Sequence, residues 1–236
     1  MRAWLSALAL LTRLPVAIHG QSPCDPGQAA RWFPAVGLLV GMLLATMAAG
    51  VDEPPLLRAW LVLLAWVWLT GAMHLDGVAD MSDGLASAHG DPARLRAVMK
   101  EPHVGAFGVV AVVLVLLSKF AILATHIEPA SLVLTPAWAR LGVLLWAEML
   151  PPLAADGMGA ALAGRTSRAA IAVWALGLAV VSGWLISAAF VLAAALALLA
   201  WAALLHRWVG GMNGDCLGAG IECCECALLF FAAIGH

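Results

Sequence analysis

HLDGVADMSDGLASAHGD, residues 74–91, is the polar stretch around which an otherwise largely apolar chain is arranged. Within it Asp76, Asp80 and Asp83 stand at positions i, i+4 and i+7, a spacing that puts three carboxylates on one face of a helix. Gly77 and Gly84 are a heptad apart and leave the backbone open to close approach. Three like charges on one face repel one another unless a cation lies between them. Hard oxygen ligands suit Mg2+, and a phosphate-bearing substrate could complete its coordination shell. The bland alternative is a solvated acidic helix end at a membrane surface.

Outward from this stretch the chain reads as a membrane protein. Its 236 residues are 64% hydrophobic and 11% charged, with a mean hydropathy of +0.97, and long uncharged runs of this kind predict membrane spans. The first lies at about residues 31–51, after a polar connector at 19–28, and Asp52-Glu53-Pro54-Pro55 ends it. A second covers about 56–73, a third about 105–125 and a fourth about 132–153. The apolar run 169–205 exceeds the ~20 residues of one crossing and divides near 182–187 into two. The last span is 221–234, with Glu222 and Glu225 expected in its first turn. The fold expected is an all-α, polytopic helical bundle of about seven transmembrane helices, one domain over residues 1–236, with acidic and glycine-rich loops on one side. The N-terminal apolar stretch, interrupted by Arg13 and Pro15, reads as a retained interfacial helix rather than a signal peptide.

Seven spans assign every connector to a side. Arg31, Arg94, Arg96, Lys100, Arg165, Arg168 and Arg207 fall on one, and Arg58 alone on the other. The positive-inside rule makes the first set cytoplasmic. The aspartate stretch and a second polar loop, GGMNGDCLGAG at residues 210–220, share that side, as a single active site there requires. A net charge of −2 supplies no basic field for nucleic acid.

The second loop offers Asn213 and Gly214, whose surroundings expose backbone N–H groups to phosphate oxygens. It also brings Asp215 and Glu222, which are either further metal ligands or partners for Arg165, Arg168 or Arg207. Asp91-Pro92-Ala93 predicts an N-cap and a short helix bearing Arg94, Arg96 and Lys100, the candidate phosphate contacts. Lys119, Arg140 and Glu148 lie within spans, where charges are costly, and should turn inward to pair or to bind an anion. His74 is a candidate base, against the commoner reading of a hydrogen-bond partner. Cys223, Cys224 and Cys226 lack a C-x-x-C spacing and read as small packing residues rather than zinc ligands. Trp32, Trp60 and Trp208, at span ends, read as interfacial anchors.

HLDGVADMSDGL, MKEPHVGAFGVVAVVLVLLSKF and GGMNGDCLGAGIECCE, in that order, resemble the cobalamin synthase family, the adenosylcobinamide-GDP ribazoletransferases; LLTRLPV and RWFPAVGLLVG do so too. The resemblance implies a multi-pass enzyme of the bacterial cytoplasmic (inner) membrane whose active site faces the cytoplasm and uses Mg2+. Such an enzyme joins adenosylcobinamide-GDP to α-ribazole or its 5′-phosphate, giving adenosylcobalamin or its phosphate and GMP. Membrane lipid is the implied surround, and homo-oligomerisation or association with other cobalamin-assembly enzymes stays open. The family's motifs fall on Asp76, Asp80 and Asp83, on Lys100, Glu101 and Gly105 to Gly108, and on Gly214, Asp215, Glu222 and Glu225. Glu101 replaces a more usual aspartate, and residues 151–159 lack an expected aromatic and arginine. Displacing GMP from a diphosphate depends on positioning and charge neutralisation, for which Asp76, Asp80 and Asp83 would hold Mg2+ and Lys100, Arg94 or Arg96 offset the remaining charge. The acceptor of the hydroxyl proton is open among His74, Asp83 and Glu222. A CDP-alcohol phosphotransferase is the nearest rival, but Asp76-Gly77-Val78-Ala79-Asp80 lacks its spacing and its arginine. An ion-coupled transporter would want the acidic groups near mid-membrane.

Overall fold

The computed structural model describes residues 2–16, 24–51 and 54–235. Residues 19–23 of the 19–28 connector, Asp52 and Glu53 of the turn after the first span, and His236 lie outside the described residues. Among the described residues twelve α-helices follow in order: α1 Arg2–Leu11, α2 Pro26–Ala30, α3 Phe33–Ala49, α4 Pro55–Thr70, α5 Met73–Ala88, α6 Pro92–Val98, α7 Ala106–Leu123, α8 Pro129–Met149, α9 Gly157–Leu162, α10 Arg168–Leu185, α11 Ala188–Leu204 and α12 Gly214–Ile234. Among the described residues the only extended pairing is an isolated bridge between Pro152 and Met212. The chain is an all-α polytopic membrane bundle.

Five helices, α7, α8, α10, α11 with its π-helical end, and α12, are long and apolar enough to cross a membrane. The lipid-facing ones show it in their exposure: Phe107 and Leu114 on α7, Val173 and Leu176 on α10, and Leu192 on α11 are all bare. α8 sits at the centre, its polar Ser131, Thr135 and Arg140 buried along with its apolar residues. Gly37 and Gly41 let α3 lie directly on α8, since a Cβ at either would strike α8 backbone within 2.6 Å. Small residues four apart are a usual device for close helix packing in lipid. Trp146, fully buried, donates its indole N–H to Leu198 O (2.9 Å) and so ties α8 to α11.

Two expectations need revision. The acidic stretch is not a loop. It is α5, joined to α4 through an 86° bend made by consecutive left-handed residues, Gly71 (φ 64°) and Ala72 (φ 59°). Neither α4 nor α5, at 16 residues each, qualifies as a long span alone; the bent pair counts as one broken or re-entrant segment. With α3 at 17 residues, near the lower limit of ~17–25 for a crossing, the number of crossings depends on how these short helices are counted. The glycine-rich loop is also shorter than expected, because α12 starts at Gly214. Asn213 caps it, its Oδ1 accepting from the Cys216 N–H at 2.9 Å, a side-chain cap that outweighs the flexibility of the glycines. Glu222 therefore stands well inside the helix rather than in its first turn. The break at Ser187 and the Asp91 cap of α6 are where the sequence puts them. Glu148, expected inside, pairs at the surface with Arg168.

Four charged side chains are buried together. Lys119 Nζ donates to Glu222 Oε2 (2.7 Å) and Glu225 Oε2 (2.5 Å), and Arg140 donates to Glu225 Oε1 (2.6 Å). Lys119 also lies 4.3 Å from the Trp66 ring centroid, a favourable cation–π contact. Breaking such a group by removing one partner costs about 3–5 kcal/mol. Glu225→Ala should therefore lower the melting temperature in detergent far more than Glu148→Ala, whose partner Arg168 is mostly solvated. Equal shifts in the two melting curves would refute the assignment.

Candidate active site

The site is assembled where the start of α12 crosses α5. Gly77 makes the crossing possible: a Cβ there would come within 2.5 Å of Asp215 O. This contact delivers Asp215 to the aspartates of α5, so that Asp80 lies in the field of Asp215, Asp76 and Asp83, and Asp215 in that of Asp76. Asp76 is exposed, Asp80 and Asp215 half-buried. Asn213 Nδ2 donates to Asp215 Oδ2 at 2.8 Å and fixes its carboxylate, so one residue both caps α12 and aims its first acid.

Asp83 does something else. Its Oδ2 accepts from the Gly105 N–H (2.6 Å) and its Oδ1 from the Gly108 N–H (2.9 Å), so it caps the first turn of α7 from a neighbouring helix. Those amides have no partner within α7 itself. Both glycines are required, since a Cβ at either would meet the carboxylate at 2.4–2.5 Å. The Gly-Ala-Phe-Gly motif is a socket for Asp83, and the carboxylate expected as a third metal ligand is occupied by backbone. Glu222, also expected as a ligand, is held by Lys119 and lies 4.0 Å from His74 Nδ1. Among the described residues no three His, Cys, Asp or Glu side chains converge closely enough to hold a metal unaided.

His74 is 5% exposed, and its Nδ1 has no hydrogen-bond partner among the described residues. Its backbone packs against Gly218 of α12. With Asp215 it lines a cavity of about 230 Å³ between α1, the start of α3, α5, α8, α9 and α12. The basic candidates stay apart. Arg94 and Lys100 are exposed and Arg96 half-buried, on or beside a helix packed against Gly84 at the far end of α5, and none of the ion pairs joins them to the aspartates. Gly214 lines the cavity as the first residue of α12. Cys223, Cys224 and Cys226 are free, and among the described residues they join no group of three side chains able to hold a metal.

One part of the site escaped the sequence. The 151–153 segment pairs with the glycine loop, Met212 N–H to Pro151 O and Leu153 N–H to Met212 O, each at 2.9 Å. Gly159 of α9 lies against Met212 and Asn213, where a Cβ would sit 2.7 Å from Met212 O. The segment that departs from the family pattern thus buttresses the loop that aims Asp215. No periodicity or composition signals a two-bond bridge of this kind; the glycine at 159 was its only trace.

The sequence profile of the cobalamin-5-phosphate synthases matches residues 3–233. A relative from Laribacter hongkongensis named adenosylcobinamide-GDP ribazoletransferase is 44% identical over 240 residues, covering 99% of this chain and 97% of its own length. Proteins of the same name from Thiobacillus denitrificans and Pseudomonas aeruginosa PAO1 are 41% and 39% identical over 99% of this chain and 96% and 98% of their own lengths. No solved structure matches. With the profile matched over residues 3–233 and relatives 39–44% identical over nearly its whole length, the chain belongs to the cobalamin-5-phosphate synthase family.

Proposed function

We propose that this chain transfers the cobinamide phosphate of adenosylcobinamide-GDP to a ribose hydroxyl of α-ribazole or its 5′-phosphate, releasing GMP. The observation that carries this reading is the meeting of Asp80 and Asp76 of α5 with Asp215 of α12, in a chain whose relatives bear that activity in their names. A bond forms between the hydroxyl oxygen and the phosphorus next to cobinamide, and the bond from that phosphorus to GMP breaks. Positioning and charge neutralisation dominate the barrier to such a transfer.

Asp76, Asp80 and Asp215 suit Mg2+ by donor chemistry, all being hard oxygens close enough to feel one another's charge. Mg2+ is commonly held by one or two carboxylates together with substrate phosphates, which agrees with a protein site that is incomplete alone. Bound there, it would neutralise charge on the diphosphate. Of the three candidates for accepting the hydroxyl proton, Asp83 is engaged by two backbone amides and Glu222 by Lys119. His74 is left, its Nδ1 turned toward Glu222 and its Nε2 on the other side of the ring. Arg94, Arg96 and Lys100 would reach the nucleotide phosphates only by extending from α6.

We further infer that the protein resides in the bacterial inner membrane with this site toward the cytoplasm. Arg207 lies beside Asp91 and α6, and Arg165, which follows α9 against the start of α12, pairs with Asp25, so these basic residues gather at the aspartate end. Arg58 sits at the opposite end with His126 and Pro129. This asymmetry follows the positive-inside rule.

Turnover should fall about 100-fold or more in Asp76→Asn, Asp80→Asn and Asp215→Asn, with a weakened Mg2+ response. Asp83→Asn should instead lower thermal stability and leave the Mg2+ response of the remaining activity intact. GMP release measured against Mg2+ concentration tests both, and near-normal turnover in two of the first three variants would overturn the carboxylate assignment. For the topology, a cysteine placed at Asp91 in an otherwise cysteine-free variant should resist an impermeant thiol reagent in intact cells and react in inverted vesicles. Labelling in intact cells would reverse the orientation.

A further inference from the structure

The cavity beside Asp215 has a composition that selects its occupant. Leu10, Phe33, Val143, Met158, Leu217 and Ile221 supply most of its wall, and among the described residues the ionisable side chains on it are His74 and Asp215. At about 230 Å³ it is smaller than the ~300–1,000 Å³ of sites that enclose a whole drug-sized ligand, so it accepts one ring system. A corrinoid is far too large. Guanine would fit by size, but its amide, amine and ring acceptors would face leucine, valine and isoleucine, and buried polar groups left unpaired are strongly disfavoured. An apolar fused-ring base with a single free ring nitrogen meets the wall without that loss. The ribazole acceptor carries such a base.

We propose that this cavity, walled by α1, the start of α3, α5, α8, α9 and α12, is the subsite for the heteroaromatic base of ribazole and sets the enzyme's choice of base. This rests on the transferase reading above. His74 is a second, independent sign of a ligand here: it is more than nine-tenths buried and stands in the cavity wall, and with its Nδ1 turned toward Glu222 the Nε2 is the ring nitrogen left for a bound base. A base seated in the cavity places its ribose beside Asp215, the first acidic residue of α12, where the diphosphate is to be met. Asp76 and Asp80, by contrast, lie off this wall on the other side of the α5–α12 crossing, and leave the nucleotide and corrinoid on the open side. Leu10 and Met158, on α1 and α9, are half-buried lining residues outside the central helices, so base specificity is written on the periphery of the bundle.

The test uses the full-length protein in lipid. In Met158→Cys, maleimide labelling of the introduced thiol, resolved from the native cysteines by peptide mass spectrometry, should slow when α-ribazole is added and be unaffected by GMP. Leu10→Phe, which narrows the cavity from its edge, should raise KM for α-ribazole about tenfold or more while kcat and KM for adenosylcobinamide-GDP stay within about twofold. The same variant should shift preference toward ribosides of smaller bases. Protection of the introduced thiol by GMP, protection by neither ligand, or a rise in KM for the GDP-corrinoid alone would overturn the subsite. Absence of GMP release by the unaltered protein given both substrates would instead overturn the transferase reading, and the labelling result stands apart from it because it needs no turnover.

Discussion

Two positive and two negative side chains, Lys119, Arg140, Glu222 and Glu225, are shut inside a bundle of apolar helices, and the rest of the structure depends on their staying together. Each alone would be untenable there. Together they are neutral, and they come from three helices: Lys119 from α7, Arg140 from α8 and both glutamates from α12. Apolar packing in lipid is permissive, because one leucine face slides against another at little cost. An ion pair at 2.5–2.7 Å does not slide. Its bonds fix the rotation and depth of α12 against α7 and α8, and so fix where Asp215, nearly two turns above Glu222, emerges.

Above that anchor, glycines convert register into function. Gly77 brings α5 onto the backbone of Asp215, and Gly218 brings α12 onto His74. The two helices run in opposite senses here: as the chain goes down α12 from Asp215 to Gly218 to Glu222, its neighbours on α5 fall in number from Asp80 and Gly77 to His74. Polar groups thus grade from exposed Asp76 through half-buried Asp80 and Asp215 to buried His74 and the enclosed quartet. Asp83 anchors the other flank, where its carboxylate holds the start of α7 through two amides.

How far the sequence could be read follows from which interactions are local. Span composition, the Asp91 cap and the break at Ser187 depend on neighbours within one turn, and they were legible. The i, i+4, i+7 spacing truly puts three aspartates on one side of α5, but spacing cannot say that Asp83 meets the amides of a helix beginning twenty-two residues later. Glu222 looked like a site acid because its partner, Lys119, is a hundred residues away. The bend at Gly71-Ala72 was hidden because alanine rarely takes positive φ, and only one residue of the pair signals a turn. The Gly37–Gly41 spacing was in plain view and carried the contact with α8, although an apolar span gave no reason to single it out.

The division of labour among like residues has an electrostatic reason. Acidic side chains at the α5–α12 crossing can attract a divalent cation only if nothing else neutralises them first. Lys119 and Arg140 are the nearest buried cations, and each is engaged by a glutamate deeper in the same pair of helices. A quartet short of one carboxylate would project positive charge up the bundle toward Asp215 and compete with a metal; a quartet short of one cation would add to the repulsion among Asp76, Asp80 and Asp215. Neutrality below keeps the charge of the crossing set by its own aspartates. The buried glutamates therefore serve the site by being absent from it, and the same bonds that hold α12 in place leave Asp76, Asp80 and Asp215 without an ion-pair partner among the described residues.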